Sequence, residues 1–123
     1  MANILVLDDN EILLEVVKDS ISMTDHSVTA TSNSYQIENI LKDNTFDLII
    51  TDIIMPDREG FEIIIHLRKN YPETKVIAMT GKDMGEALNL LEMAQSMGAD
   101  AVLSKPFTPK ELISLINKTL DSV

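Results

Sequence analysis

The sequence of 123 residues contains no cysteine and no tryptophan, and aromatic residues make up only 4% of it. The absence of cysteine excludes disulfide bonds, thiol chemistry and cysteine-based zinc sites. A bound metal would need oxygen ligands or one of the two histidines, His26 and His66. Neither histidine has a partner at metal-ligand spacing, so we expect both to be solvated. Oxygen atoms are therefore the candidate ligands for any metal.

Basic residues are scarce, since ten Lys and Arg residues stand against twenty Asp and Glu residues. The formal net charge of −10 repels nucleic-acid phosphates and anionic lipid surfaces. We therefore expect no direct nucleic-acid binding and no membrane binding by this chain. The apolar run at residues 4–7 is too short for a secretory signal, and no run approaches the ~18 residues of a membrane span. These features predict a cytoplasmic protein.

Glycine and proline are few, with four of each, and hydrophobic residues make up 45% of the sequence. This composition and length are typical of one ordinary globular domain, which we expect to cover residues 1–123. Met1 stands just before the first predicted strand, and the last predicted helix ends close to Val123. Two interpretations stay open: a single-domain protein, or one domain of a longer chain.

Apolar runs of strand length alternate with segments of helical period, a pattern that predicts parallel βαβ units. The predicted strands cover residues 4–7, 27–32, 46–50, 76–79 and 101–104. The second strand alternates only weakly between apolar and polar residues, so we place it at the edge of the sheet. The predicted fold class is α/β, a (βα)5 doubly wound parallel sheet of five strands.

Helix-capping residues mark several of the predicted helices. Asn10 is a suitable N-cap for the first helix, and Asp83 begins a capping-box pattern for the fourth, which should end before Gly98. The segment Thr108-Pro109-Lys110-Glu111 is the clearest helix start in the chain. The apolar stripe of the first helix is predicted at Leu13, Val16, Val17 and Ile21.

Polar residues follow four of the predicted strands, at the sheet edge where ligands bind in such folds. They are three acids, one hydroxyl and one ammonium: Asp8, Asp9, Asp52, Thr80 and Lys105. Two carboxylates about 4 Å apart repel by ~4 kcal/mol at an effective dielectric near 20, so the acids need protonation or a bridging cation. Oxygen ligands favour Mg²⁺, which a phosphate oxygen usually completes. The sequence predicts a site for magnesium and a phosphoryl group together.

Taken in order, these motifs resemble the receiver domain of two-component response regulators, of the chemotaxis-receiver type. The resemblance spans essentially the whole chain and implies a flavodoxin-like strand order, 2-1-3-4-5. Its motifs are Leu7-Asp8-Asp9-Asn10, Asp52 with Met55-Pro56-Asp57 and Gly60, Thr80-Gly81, Gly98-Ala99-Asp100, and Lys105-Pro106-Phe107. No single motif is specific for this family, but the occurrence of all of them in this order, on these strands and helices, is specific.

The resemblance also implies a function and a role for each site residue. Asp52 would accept a phosphoryl group from a sensor histidine kinase or a histidine phosphotransfer protein. Lys105, in a Lys-Pro step that is typically cis in the family, would neutralise one phosphoryl oxygen, and the Thr80 hydroxyl would be drawn to another. The chain would be a regulatory phosphoacceptor domain rather than an enzyme. Mg²⁺ would be held by Asp8, Asp9, Asp52 and the backbone carbonyl of Ile54.

One position departs from the family pattern, and two other functions need to be weighed. Val102 stands where most receivers have Tyr or Phe, so we expect switching to depend on the loop after Thr80 and on the fourth helix.

A pseudo-receiver that binds partners without phosphorylation is the main alternative, and the complete acidic set argues against it. A Mg²⁺-dependent phosphohydrolase would need a second acid two residues after Asp52, where the chain has Ile54.

Overall fold

The computed structural model describes residues 1–53, 60–81 and 84–121, and strands and helices alternate along them. The strands are β1 (Asn3–Leu7), β2 (Ser27–Thr31), β3 (Leu48–Asp52), β4 (Lys75–Thr80) and β5 (Ala101–Ser104). The helices are α1 (Glu11–Ser22), α2 (Ile37–Asp43), α3 (Gly60–Asn70), α4 (Met84–Met97) and α5 (Pro109–Asp121). A 3-10 turn, Ser34–Gln36, precedes α2. The strand bounds differ from the predicted ones by no more than two residues.

The strands form one parallel sheet in the order β2-β1-β3-β4-β5. This order confirms both the predicted fold class and the order that the family resemblance implied. β2 lies at the edge of the sheet, as predicted, and its side chains alternate between exposed and partly buried up to the buried Thr31. The inner strands β1, β3 and β4 are covered on both faces, which explains their continuous apolar runs.

Two hydrophobic layers cover the two faces of the sheet. On one face, alternate strand residues such as Leu5 and Ile49 pack with side chains of α2, α3 and α4. On the other face, the neighbouring residues Ile4 and Ile50 pack with side chains of α1 and α5. Within the described ranges, none of the helices combines the length and apolar character that crossing a bilayer requires. The layers hold the strand ends, and the polar residues after them, at a common edge.

The apolar stripe of α1 was only partly predicted. Its buried residues are Leu14, Val17 and Ile21, whereas Leu13 is only partly buried and Val16 is 49% exposed. The sequence has two neighbouring apolar pairs at 13–14 and 16–17, and either member of each pair fits a helical period. Packing against the sheet selects the second member of each pair.

The described helix ends agree with the predicted capping residues. The Asn10 side chain accepts hydrogen bonds at the start of α1, and Thr108 Oγ1 accepts the Glu111 N–H at 3.1 Å at the start of α5. Gly98, with a φ of 118°, follows the last residue of α4, and a Cβ atom there would clash with the Arg68 side chain. The cap predicted at Asp83 lies outside the described residues.

Candidate functional site

Three carboxylates converge at the carboxyl edge of the sheet. Asp8 follows β1 directly, Asp52 is the last residue of β3, and both are buried, while Asp9 is exposed. One oxygen atom from each of the three lies within 4.8 Å of the other two. β1 and β3 are adjacent parallel strands in register, so their last residues meet at the same level. The three predicted acidic residues therefore share one place in the fold.

Backbone hydrogen bonds fix the orientation of Asp8. Its N–H donates to the Thr31 carbonyl at 3.3 Å, which extends the pairing of β1 with β2 beyond Leu7. Its Oδ1 atom accepts the Asn10 N–H at 2.9 Å. One carboxylate oxygen is thus held by the start of α1, and the other oxygen, Oδ2, is the one that faces Lys105.

The position of Asp52 follows from the pairing of two central strands. Asp52 lies opposite Met79 of β4, and the Ile53 N–H donates to the Met79 carbonyl at 2.9 Å. This pairing continues past the end of β3 and keeps the Asp52 backbone inside the sheet. Asp52 is consequently only 6% exposed, at the end of a fully buried strand.

Lys105 brings an ammonium group to the acidic residues. Its Nζ atom lies 2.8 Å from Asp8 Oδ2 and 3.2 Å from Asp52 Oδ2. Its own N–H donates to the Thr80 carbonyl at 2.8 Å, and the Lys105-Pro106 peptide bond is cis, as the resemblance implied. The stem of Lys105 packs closely against Gly81, where an added Cβ atom would lie 3.3 Å from Lys105 Cδ.

The charge of Lys105 is set by opposing effects. Burial by itself lowers the pKa of the Lys105 ammonium, but the contact with Asp8 and the negative charge of Asp52 outweigh burial. The resulting pKa lies above the usual value for lysine. Lys105 is therefore positively charged at neutral pH and serves as the counter-ion of two buried carboxylates.

The donor set fits a small hard cation. One ammonium balances only part of the charge of three carboxylates, and Asp8 Oδ2 is a buried oxygen whose contact is the ion pair with Lys105. A buried carboxylate oxygen beside two further carboxylates is a suitable ligand environment for Mg²⁺. Ile54, the fourth predicted ligand, lies outside the described residues.

The remaining predicted residues lie nearby or outside the described segments. Thr80 is the last residue of β4, is 1% exposed and pairs in register with Ser104 of β5. Val102 is partly buried and packs against the hydrophobic layer that includes α3 and α4. The loop after Thr80, at residues 82–83, and the motif Met55-Pro56-Asp57 lie outside the described residues.

Three residues have contacts that the sequence did not indicate. Asn10 was expected only as a helix cap, and Gly81 only as part of a motif, yet both contact residues of the acidic site. His26 is not simply solvated: its Nδ1 accepts the Ala2 N–H at 3.0 Å, and its Nε2 lies 2.9 Å from Asn117 Oδ1. These bonds join the start of β1 to α5 at the sheet edge opposite the acidic residues, so His26 is a structural residue.

A doubly wound parallel domain with clustered carboxylates and a lysine at the carboxyl ends of its strands defines the class of flavodoxin-like α/β domains with an acidic site. The family model described as "Response regulator receiver domain" matches residues 4–117. The chain therefore belongs to the response regulator receiver domain family.

Named relatives agree with this assignment. The DNA-binding transcriptional regulator NtrC of Azospirillum brasilense is 34% identical over 121 residues, which cover 98% of this chain and 24% of NtrC. Response regulator SaeR of Staphylococcus aureus strain USA300 is 27% identical over 120 residues, which cover 98% of this chain and 51% of SaeR. The chain thus spans about a quarter of the length of NtrC and about half of SaeR.

A solved structure is similar over nearly the whole of both chains. The crystal structure of a response regulator receiver domain protein from Clostridium thermocellum has a TM-score of 0.88 and 31% sequence identity. The match covers 98% of this chain and 95% of that chain. The similarity thus extends over nearly the whole fold.

Proposed function

We propose that residues 1–123 form a phosphoacceptor module of a two-component system, and that phosphorylation of Asp52 changes partner binding. The donor is a sensor histidine kinase or a histidine phosphotransfer protein. The observation that supports this most directly is the meeting of Lys105 Nζ with the carboxylates of Asp8 and Asp52, at 2.8 Å and 3.2 Å. Phosphoryl transfer needs a positioned nucleophile and positive charge near the equatorial oxygens, and this arrangement offers both.

The proposed step transfers a phosphoryl group from nitrogen to oxygen. A carboxylate oxygen of Asp52 attacks the phosphorus atom of a phosphohistidine, so a P–O bond forms and the P–N bond breaks. The electron pair of the broken bond leaves with the imidazole nitrogen of the donor. The Lys105 ammonium, a compact positive charge, contacts one phosphoryl oxygen. Asp8, Asp9, Asp52 and the carbonyl of Ile54 would hold Mg²⁺, which when bound would supply further positive charge for the phosphoryl oxygens.

Phosphorylation would be transmitted through the ends of β4 and β5. The Lys105 N–H donates a hydrogen bond to the Thr80 carbonyl, so a displacement of one residue also displaces the other. A phosphoryl group on Asp52 attracts both the Lys105 ammonium and the Thr80 hydroxyl. The new contacts would move the loop after Thr80, which converts a local charge into a change of surface.

We further propose that the donor protein docks on α1 beside the site. Ile12 and Val16 are 81% and 49% exposed, and their i, i+4 spacing places them on one face of α1. Asn10, the cap of that helix, contacts Asp8, so this face begins next to the acidic residues. Apolar side chains at this place can exclude water from a docked donor.

The decisive experiment for Asp52 is labelling by radioactive acetyl phosphate in the presence of Mg²⁺. We expect the wild-type chain to be labelled and Asp52→Asn to show no label, because the amide is not a nucleophile. Asp43→Asn, which changes an exposed carboxyl group at the end of α2, should be labelled like the wild type.

The outcomes separate the candidate functions. Undiminished labelling of Asp52→Asn would remove Asp52 from the acceptor role. A wild-type chain that takes no label from acetyl phosphate or from a phosphorylated histidine protein would instead be a pseudo-receiver, which binds its partner without phosphorylation.

A further inference from the structure

We propose that Asn10 is a positioning residue for Asp8, and that its side-chain cap of α1 sets the affinity of the acidic site for Mg²⁺. The inference rests on the proposed function, because it concerns the same metal site. Asn10 itself does not contribute a ligand in this proposal. It acts by fixing the peptide whose N–H holds the Asp8 carboxylate.

Asn10 makes hydrogen bonds in two directions. Its side-chain Oδ1 accepts the N–H groups of Ile12 at 3.1 Å and Leu13 at 3.2 Å, and its carbonyl accepts the Leu14 N–H at 2.9 Å. In the other direction, its own N–H donates to Asp8 Oδ1 at 2.9 Å. The same residue therefore begins the helix and holds the acid, so the two functions are mechanically linked.

Two contacts hold the Asp8 carboxylate, one on each oxygen, and Asn10 makes one of them. Among the described residues, the Asn10 N–H is the hydrogen-bond donor to Asp8 Oδ1. Oδ2 is the oxygen that lies 2.8 Å from Lys105 Nζ. A rotation of the Asn10 peptide would release Oδ1 and let the whole carboxylate turn, Oδ2 included.

Loss of the side-chain cap would free that peptide. In Asn10→Ala the N–H groups of Ile12 and Leu13 lose their acceptor, so the first turn of α1 opens more often. The Asn10 φ and ψ angles, −82° and 100°, are those of an extended residue that the cap holds in place. Asp8 then samples more rotamers, and Mg²⁺ must select the productive one at a cost in affinity. Serine, an equally good N-cap, should keep the peptide fixed.

The test measures Mg²⁺ affinity by titration calorimetry for the full chain, well below its unfolding temperature. We expect Asn10→Ala to raise the Mg²⁺ dissociation constant about fivefold, the factor that corresponds to one typical cap. Asn10→Ser should return it to about the wild-type value. The Mg²⁺ concentration for half-maximal labelling by acetyl phosphate should shift by the same factor in Asn10→Ala.

The matched control removes a cap of the same chemical type elsewhere. Asn33 caps the 3-10 turn by accepting the Tyr35 N–H at 2.9 Å, so Asn33→Ala should lose stability without a change in Mg²⁺ affinity. Equal affinities for Asn10→Ala and wild type would overturn the proposal. So would a failure of Asn10→Ser to restore affinity, or an equal loss in Asn33→Ala. A wild-type chain that does not bind Mg²⁺ would overturn the proposed metal site as well.

Discussion

Lys105 shows how one side chain can serve two partners that compete. Its Nζ atom lies 2.8 Å from Asp8 Oδ2, the oxygen that we propose as a metal ligand. It also lies 3.2 Å from Asp52 Oδ2, which belongs to the proposed phosphoacceptor. The ammonium thus offsets part of the negative charge of the carboxylates, and in the proposed function Mg²⁺ would have to displace it from Asp8. The same ammonium would then be free to contact a phosphoryl oxygen.

We expect Lys105→Met to change metal binding and phosphorylation in opposite directions. Methionine keeps an unbranched side chain without the charge, so the internal competitor of Mg²⁺ disappears and the metal should bind about tenfold more tightly. Labelling by acetyl phosphate should become slower, because the phosphoryl group loses its positive partner. Calorimetry and a labelling time course measure the two effects. Lys110→Met, which changes an exposed lysine, is the control, and weaker Mg²⁺ binding in Lys105→Met would contradict the competition.

The contacts of some residues could be predicted from the sequence, and those of others could not. The meeting of Asp8, Asp52 and Lys105 could be predicted, because parallel strands end at one edge and each residue follows a strand. The contact of Asn10 with Asp8 could not, because it depends on one side-chain rotamer. His26 was misjudged for a similar reason, since its partners Ala2 and Asn117 are far apart in the sequence.

At the scale of helices and strands, α1 shows why a hydrophobic pattern can leave two solutions. The segment 12–17 is nearly all apolar, so the period alone does not say which residues face the sheet. Burial of Leu14 and Val17 leaves Ile12 and Val16 on the outside. An error in the predicted stripe thereby revealed an exposed apolar face next to the acidic site.

We expect Ile12→Ser to weaken phosphotransfer from the cognate histidine protein by about tenfold, because a docked donor would lose an apolar contact. Labelling by acetyl phosphate, which needs no docking, should stay close to the wild-type rate. The exposed position implies a stability change within about 0.5 kcal/mol. Ile65→Ser, at a residue of α3 that is 52% exposed, provides the control. An equal loss in both variants would argue against a specific role for α1.

The end of α4 provides a prediction on stability. Gly98 has a φ of 118° and adjoins Arg68, whose side chain donates to the Thr74 carbonyl and lies 3.7 Å from Asp100. Gly98→Ala should therefore lower the free energy of unfolding by about 2–3 kcal/mol, from backbone strain and a displaced arginine.

Urea unfolding measures this change, and Gly81→Ala is the matched control. Among the described glycines, only Gly98 has a positive φ, and a Cβ atom at Gly81 meets the flexible stem of Lys105. Gly81→Ala should therefore lower the free energy of unfolding by less than about 1 kcal/mol. Equal costs at the two positions would contradict the role assigned to the Gly98 conformation.

At the scale of the whole molecule, the sequence specifies the fold class through alternating buried strands and amphipathic helices. The inner strands are continuously apolar because both faces of the sheet are covered, and this pattern is visible without any structure. The order of the strands in the sheet cannot be seen in the sequence, because the same alternation of strands and helices fits several doubly wound sheets. The order 2-1-3-4-5 could be predicted only from the resemblance to a family. The motifs identify a family whose strand order is known, whereas hydrophobic periodicity does not determine strand order.

The molecule carries a formal net charge of −10, and its acidic site contributes three carboxylates against one ammonium. Left alone, that site presents two excess negative charges to an incoming anionic donor. A divalent cation would cancel these two charges at the place where the proposed phosphoryl transfer occurs. Under the proposed function, charge alone would then favour an order of addition in which the metal binds first and the donor approaches against weaker local repulsion.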